Sequence, residues 1–363
     1  MSNVDALRNQ NLLLKERYKR HRFKKKLFVI VLIPVVVSLV GSAIAIGSAD
    51  ISFVDVYSTI FQKLIPGFNL LGVEIPGHTH IIIWKLRLPR ILMGLTAGIA
   101  LGSTGAVMQV VLRNPLADPY MLGIASAAGF GASLAIVLGV GVFGGSYLII
   151  GNAFLFSLIS SALILLLAGR KGASPESMIL TGLALLFFFQ AMTTMIQYFG
   201  DSEAVKAAVF WTVGDLGKTD WSKLGMALPL LVVGITILIW KSGDLNIMNT
   251  GDASAKSLGI NVQSTRMLMM VVCSIMVAGV VSFTGTIGFI GLVAPHLVRM
   301  IIGADNRILV PASGLVGAVF LVLADTVART IISPVILPVG AVTAFLGVPL
   351  FIYLIVMKKG GFA

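Results

Sequence analysis

The chain has 363 residues, of which 57% are hydrophobic and only 12% are charged, whereas soluble domains carry about 25% charged residues. So many apolar residues cannot all enter one core and leave a wettable surface, which excludes a soluble enzyme and a disordered chain. The formal net charge of +12 does not indicate nucleic-acid binding, because the basic residues collect in the segments between apolar runs.

Apolar runs long enough to cross a bilayer recur along the chain, and they predict ten transmembrane helices. Helices satisfy their own backbone groups in lipid, and the short alternating segments of a β-barrel are absent from the sequence. We therefore predict an all-α polytopic membrane protein with one domain over residues 27–363. The runs fall at roughly 27–48, 89–111, 120–140, 147–169, 177–199, 222–240, 267–285, 287–303, 308–331 and 336–357.

A basic stretch from Arg17 to Lys26 precedes the first run. A cleaved signal peptide is the alternative, but the charged leader is long for one and the small residues Gly47-Ser48-Ala49 make a weak cleavage site. We expect an uncleaved first span and a cytoplasmic basic arm at residues 1–26 that lies near anionic lipid. A topology signal without a further role is the alternative for this arm.

The distribution of basic residues supports ten crossings with both ends in the cytoplasm. On that topology 19 of the 27 Lys and Arg residues lie in cytoplasmic segments, as the positive-inside rule requires. The run at 287–303 is short and contains Pro295 and His296; if it did not cross, Lys358 and Lys359 would lie outside. The longer polar stretches are then 49–88 and 200–221 outside, and 241–266 inside.

The spans carry little that indicates chemistry. Thirty-nine glycines favour close packing of helices in lipid, and the single cysteine, Cys273, excludes an internal disulfide. Asp325 lies four residues before Arg329, so the two can pair on one helix face. His78 and His80 have no neighbouring cysteine or paired carboxylates, which favours a plain loop over a metal site. We predict no catalytic residues, no metal, no cofactor and no enzymatic activity.

Four ordered groups of motifs closely resemble the permease subunits of iron-siderophore, haem and cobalamin ABC importers, the FecCD-like family. The resemblance extends from about residue 30 to the C-terminus. The motifs are LRLPR at 86–90 followed by GAVMQ at 105–109 and NPLADP at 114–119; WTVGDL at 211–216 with Trp221; GFIGLVAPHLVR at 288–299; and LADTVAR at 323–329 followed by LPVG at 337–340 and GVPLF at 347–351.

This resemblance implies a type II importer permease in the cytoplasmic or inner membrane, which moves a metal chelate into the cytoplasm. It also implies a second permease copy in a homodimer or close heterodimer, two cytoplasmic ATPase subunits and an extracytoplasmic substrate-binding protein. The motifs are shared by importers of different chelates and do not specify the cargo. The alternatives are a secondary transporter driven by an ion gradient, which would need membrane-embedded ionisable groups or paired broken helices, and a membrane-embedded enzyme.

Arginines at the outer ends of two spans match the positions that the family uses for docking its binding protein. They are Arg87, Arg90 and Arg329. Guanidinium groups can hold carboxylates of an acidic partner in bidentate fashion. The alternatives are lipid headgroup contact for Arg87 and Arg90, and a structural pair with Asp325 for Arg329.

The segment at 251–260, within the cytoplasmic region 241–266, resembles the coupling helices that the family places against its ATPase. Ala255 and Leu258 are three residues apart, which predicts that they share a helix face. Gly259 is suited to end the short helix, because glycine tolerates left-handed backbone. An ordinary amphipathic surface loop is the alternative.

In the family the fifth span lines the substrate path on the dimer axis, and the tenth span lies close to it. Here the fifth span carries polar residues at three- and four-residue spacing that form one stripe: Gln190, Thr193, Thr194 and Gln197. Hydrogen bonding between helices is the alternative role. The family's inner gates match Asn114 and Leu116 in one loop and Ser174, Pro175 and Glu176 in another. Pro175 and Glu176 depart from the small hydroxyl residues that the family often has at this second gate.

Overall fold

The computed structural model describes residues 27–47, 51–65, 76–170 and 173–357, together with Phe23, Lys25 and Ala49. The predicted basic arm at 1–26 lies almost wholly outside the described residues, as do Lys358 and Lys359. In the described part the regular structure is helical, without a strand.

The described helices, in chain order, are α1 (Leu27–Ala45), α2 (Phe53–Leu64), α3 (Gly77–Val111), α4 (Ile124–Leu138), α5 (Leu148–Arg170), α6 (Pro175–Tyr198), α7 (Ser202–Thr212), α8 (Trp221–Trp240), α9 (Ser242–Met248), α10 (Asp252–Ser257), α11 (Val262–Thr284), α12 (Ile290–Ile302), α13 (Asn306–Thr330) and α14 (Val339–Met357). Seven of them are long and apolar enough to cross a membrane, and α4, α12 and α14 are shorter apolar helices. These helices correspond to the ten predicted spans.

The span predicted at 287–303 is only partly helical. α12 has 13 residues and therefore measures about 20 Å, which is less than the roughly 30 Å of a hydrocarbon core. The non-helical residues before it are enclosed by protein, because the hydroxyl of Tyr120 bonds both the amide and the carbonyl of Ile287, at 3.0 and 3.1 Å. Irregular backbone is tolerated at membrane depth where protein satisfies it in this way.

The polar stretch predicted at 49–88 contains helices that the sequence reading missed. α2 begins with a capping box at Ser52, and α3 begins at Gly77 and continues through wider π-helical turns at Ile82–Arg87. Arg87 and Arg90, predicted just outside the second span, therefore lie within a continuous helix. Pro89 lies within this helix without ending it. Proline has no amide hydrogen to donate to the carbonyl of Trp84, five residues earlier, and that carbonyl accepts a hydrogen bond from Nε1 of Trp221 instead.

α3 is the central helix of the bundle and contacts α12 and α13 through glycines. A methyl group added at Gly98 would collide with the backbone of Ala318, and one added at Gly102 would collide with the carbonyl of Ser313. Because no hydrophobic effect drives helices together within lipid, such close backbone contacts replace large interlocking side chains.

Each end of the bundle takes its name from a carboxylate, the buried Asp325 at one end and the half-buried Asp252 at the other. At the Asp325 end, Arg90 near the start of the apolar part of α3 contacts Asp325 near the end of α13. At the Asp252 end, Arg266 near the start of α11 contacts the carbonyl of Val111, where α3 ends. α3 therefore runs from the Asp325 end to the Asp252 end, antiparallel to α13.

Candidate functional site

Asp325 is fully buried and joins α3 to α13. Its carboxylate accepts hydrogen bonds from Nε and Nη2 of Arg90, at 2.7 to 3.1 Å, and from Nε of Arg329 at 3.1 Å. The pair predicted from the spacing of Asp325 and Arg329 is therefore confirmed. Bidentate arginine–carboxylate contacts fix direction as well as distance, so they hold the two helices in register.

Arg87, and the donors of Arg329 that do not contact Asp325, are directed at the end of α1. Arg87 donates to the carbonyls of Ile44 and Ala45 at 2.6 and 3.1 Å, and Arg329 donates to those of Ala43 and Ile46 at 2.9 and 3.1 Å. The last carbonyls of a helix have no partner within it and carry partial negative charge, which cations satisfy.

The three arginines predicted for docking thus lie together, but their guanidinium groups are largely occupied within the chain. The side chains of Arg90 and Arg329 keep 11% and 10% of their surface exposed. A cavity of about 230 Å³ at this end reaches Arg87, Arg90 and Arg329, and a neighbouring one of about 440 Å³ reaches Arg90, Lys218 and Lys223. The local charge is positive, because the three arginines and two lysines outnumber the three nearby carboxylates, Asp325, Asp215 and Asp220.

At the opposite end, α10 is a short helix closed by a Schellman motif. The amide of Ile260 bonds the carbonyl of Ala255, and the amide of Gly259 bonds that of Lys256, both at 3.0 Å. Gly259 has a φ of +85°, as predicted for the residue that ends the helix. Ala255 is fully buried, whereas Leu258, just after the helix, is 64% exposed; the helix face that their spacing predicts they share stays a prediction.

The two predicted gate loops both emerge at the Asp252 end. In the first, the side chain of Asn114 accepts a hydrogen bond from the amide of Leu116 at 2.9 Å, which forms an Asx turn. In the second, Ser174 caps α6 by accepting from the amide of Ser177 at 3.2 Å, Pro175 occupies the first turn and Glu176 follows it. An acidic residue in that first turn complements the helix dipole.

The predicted polar stripe lies on α6, a helix that the rest of the described chain barely covers. Gln190 and Thr194 are exposed, and Gln197 is half-buried. Thr194 donates its hydroxyl to the carbonyl of Gln190 at 3.0 Å, on its own helix. Gln190 and Thr194 are left open by the described residues, so helix–helix hydrogen bonding inside one chain does not explain these two.

Sequence reasoning missed one network at the Asp252 end. Arg266 is 2% exposed, and it bonds Asp252 at 2.9 Å and two backbone carbonyls. Arg113 donates to the same carboxylate at 2.7 Å. In the sequence Arg266 stands directly before the apolar run at 267–285, and a basic residue that is buried at such a position requires a partner.

The two histidines considered for metal binding lie at the start of α3. His78 and His80 belong to its first turns. No three His, Cys, Asp or Glu side chains in the described ranges form a group that could hold a metal ion.

Comparisons with known proteins place the chain among importer permeases. A model of the FecCD transport family matches residues 30–357. An ABC transporter permease protein of Methanocaldococcus jannaschii is 41% identical over 351 residues, which cover 94% of this chain and 97% of that protein. The cobalamin import system permease protein BtuC of Halobacterium salinarum is 38% identical over 78% of this chain and 76% of its own length. The hemin transport system permease protein HmuU of Yersinia pestis is 37% identical over 76% of this chain and 84% of its own.

A solved structure, described as an inward-facing conformation of a metal-chelate type ABC transporter, matches with a TM-score of 0.79 at 31% identity and covers 90% of this chain and 98% of that chain. This likeness confirms the predicted all-α importer permease architecture. Proteins of this kind are membrane transport components rather than enzymes. The chain belongs to the FecCD transport family, and it is a multi-pass membrane permease of an ABC importer.

Proposed function

We propose that this permease moves a metal chelate (an iron siderophore, haem or cobalamin) into the cytoplasm, as one half of a dimeric pore. Relatives named for cobalamin and hemin import support this class of cargo. The permease performs no covalent chemistry: two separate ATPase subunits drive it and a substrate-binding protein delivers the chelate.

The observation that carries the proposal is the uncovered polar face of α6. Only 11% of an apolar 18-residue stretch of α6 is buried within the chain, against 83% of the corresponding stretch of α3. Lipid provides no hydrogen-bond partners, so Gln190, Thr194 and Gln197 facing hydrocarbon would be costly. A second copy packed around the same axis would instead let both stripes line a water-filled path between the two permeases.

In this proposal the two gate loops lie at the cytoplasmic mouth of the path. Asn114 and Leu116 follow α3, and Ser174, Pro175 and Glu176 begin α6, so each loop adjoins a long helix. Rocking of the helices would alternately open and close the path at this end and at the other.

The distribution of charge supports placing the Asp252 end in the cytoplasm. On that orientation 19 of the 27 Lys and Arg residues are cytoplasmic. α10 then lies on the side of the ATPase. Its buried Ala255 seats the helix on the permease, Gly259 ends it, and the exposed Leu258 offers an apolar contact to a cleft on the ATPase.

The Asp325 end then faces the substrate-binding protein. Arg87, Arg90 and Arg329 with Lys218 give this face a positive potential, which attracts acidic side chains of a partner and orients them. Because the guanidinium groups already have partners within the chain, we propose that they act as fixed charges contacted at their exposed edges.

The proposal is tested by reconstituting the complete transporter in liposomes and measuring ATP-driven uptake of cobalamin, haemin and a ferric siderophore. Exchanging Gln190→Leu and Thr194→Val together removes polar groups from the stripe and should lower uptake of the transported chelate by about tenfold, the effect of losing roughly 1.4 kcal/mol.

The matched control is Thr236→Val on α8. Thr236 is also exposed, and its hydroxyl also bonds the carbonyl four residues earlier on its own helix, at 2.7 Å. Uptake should be unchanged in this variant. Normal uptake by the α6 double variant, or an equal loss in the control, would remove the support for a path along α6.

A further inference from the structure

A single buried guanidinium connects three segments at the Asp252 end. Arg266 on α11 donates from Nε to the carbonyl of Val111 at 3.1 Å, from Nη1 to that of Ala173 at 3.1 Å, and from Nη2 to both carboxylate oxygens of Asp252 at 2.9 and 3.1 Å. Val111 ends α3, Ala173 precedes α6, and Asp252 begins α10. All three nitrogens of the guanidinium are therefore used.

The backbone next to these contacts is in an unfavourable conformation. Arg113 and Ala173 have φ values of +50° and +54°, in the left-handed region that non-glycine residues rarely adopt. Each directly precedes a gate residue, Asn114 or Ser174. Only three non-glycine residues of the described chain have positive φ, the third being Phe289. Strained backbone persists where surrounding contacts hold it in place.

The same carboxylate holds both strained positions. Asp252 accepts from Arg113 at 2.7 Å and from Arg266, whose other edge holds the carbonyl of Ala173. A displacement of α10 at Asp252 would therefore pull on the first gate loop through Arg113 and on the second through Arg266. A planar guanidinium with donors in fixed directions can bond three partners at once, which an ammonium group on a flexible stem cannot reproduce.

We propose that Arg266 is the positioning residue that transmits the displacement of α10 to the second gate loop, through its contacts with Asp252 and Ala173, while Arg113 connects the same carboxylate to the first gate loop. The inference rests on the proposed function, in which the ATPase moves α10. It adds a physical link between the ATPase contact and the gates. Coupling through such a link requires a two-state element that both sites bias, and here that element is the pair of strained gate loops.

The test measures motion in the complete transporter with its ATPase. In a Cys273→Ser background, spin labels at Thr250→Cys report the position of the segment entering α10, and labels at Glu176→Cys report the second gate loop. Both positions are exposed. Distances between the two copies are measured by electron–electron resonance with and without ATP. With Arg266 present, both distances should change on ATP binding.

Arg266→Lys keeps the positive charge but cannot make all the contacts. We expect the Thr250 distance to respond to ATP as before and the Glu176 distance to stop responding, while chelate uptake per ATP hydrolysed falls by about tenfold. Asp252→Asn should have the same effect, and the double variant should be no worse than either single one, because both disrupt one unit. Arg170→Lys is the matched control, an exposed arginine at the same end for which the described residues show no ion pair.

The outcomes separate the two proposals. A Glu176 distance that still responds to ATP in Arg266→Lys overturns the inference and leaves the proposed function intact, as do additive effects of the Arg266 and Asp252 variants. A Thr250 distance that stays fixed when ATP binds, with Arg266 present, overturns the proposed function and the inference with it. A parallel loss of complex, hydrolysis and uptake in Arg266→Lys would show that the residue only stabilises the fold.

Discussion

The glycine contact between α3 and α12 allows a quantitative prediction. A Cβ at Gly105 would lie 1.9 Å from the carbonyl oxygen of Gly291 and 2.6 Å from its Cα. Ordinary contacts begin near 3.4 Å, so Gly105→Ala must separate two backbones by about 1.5 Å, and neither side has a flexible side chain to yield. Overpacking of this kind costs about 1–3 kcal/mol or more, against roughly 1 kcal/mol regained from helix propensity. Since the 1.9 Å approach is to backbone, the upper end of this range applies, and we expect a net destabilisation of about 2 kcal/mol or more.

The assay is thermal unfolding of the purified permease in detergent, followed by the loss of monodisperse protein on size-exclusion chromatography. Gly129→Ala on α4 is the control, because a Cβ there would meet only the methyl group of Thr212 at 3.5 Å. This variant should unfold at the same temperature or slightly above the unmodified protein, by about 0.4–1 kcal/mol of added stability. A Gly105→Ala protein that is as stable as Gly129→Ala would refute the close backbone contact.

Three further substitutions test the two ends of the bundle. Asp325→Asn should cost about 3–5 kcal/mol in the same unfolding assay, because it leaves two buried guanidinium groups without a counter-charge; a loss below about 1 kcal/mol, the range of exposed pairs, would contradict the buried network. Gly259→Val forces a β-branched residue to a φ of +85°, and it should uncouple uptake from ATP hydrolysis while the complex still assembles. Gly225→Ala, on open helix surface, is the control and should change neither the coupling nor the assembly. Arg87→Glu should abolish the stimulation of ATP hydrolysis by the binding protein, with the exposed Lys63→Glu on α2 as the control; undiminished stimulation would count against docking at this face.

Sequence patterns predicted the spans well, because each depends only on local composition. The helix at 177–199 needed a run of apolar residues, and the helix found is α6, Pro175–Tyr198. The left-handed conformation of Gly259 was also predictable, since few other residues adopt it at low cost. The ends of helices were harder: α11 begins at Val262 rather than 267, because Asn261 caps it through the amide of Ser264.

Contacts between segments far apart in the chain could not be read from the sequence. Arg90 and Asp325 are 235 positions apart, and the four-residue spacing of Asp325 and Arg329 predicted only half of the network. Arg266 gave the same difficulty, because a basic residue near a cytoplasmic helix end usually reports topology. Its three partners meet only once the ends of α3, α5 and α10 are packed together.

The central claim is that this permease has no motor of its own. The direct measurement is chelate uptake into liposomes that contain either the permease alone, under a proton or sodium gradient, or the permease with its ATPase and binding protein, supplied with ATP and no gradient. We predict uptake only in the second preparation. Accumulation of chelate by the permease alone, driven by the ion gradient, would contradict the account.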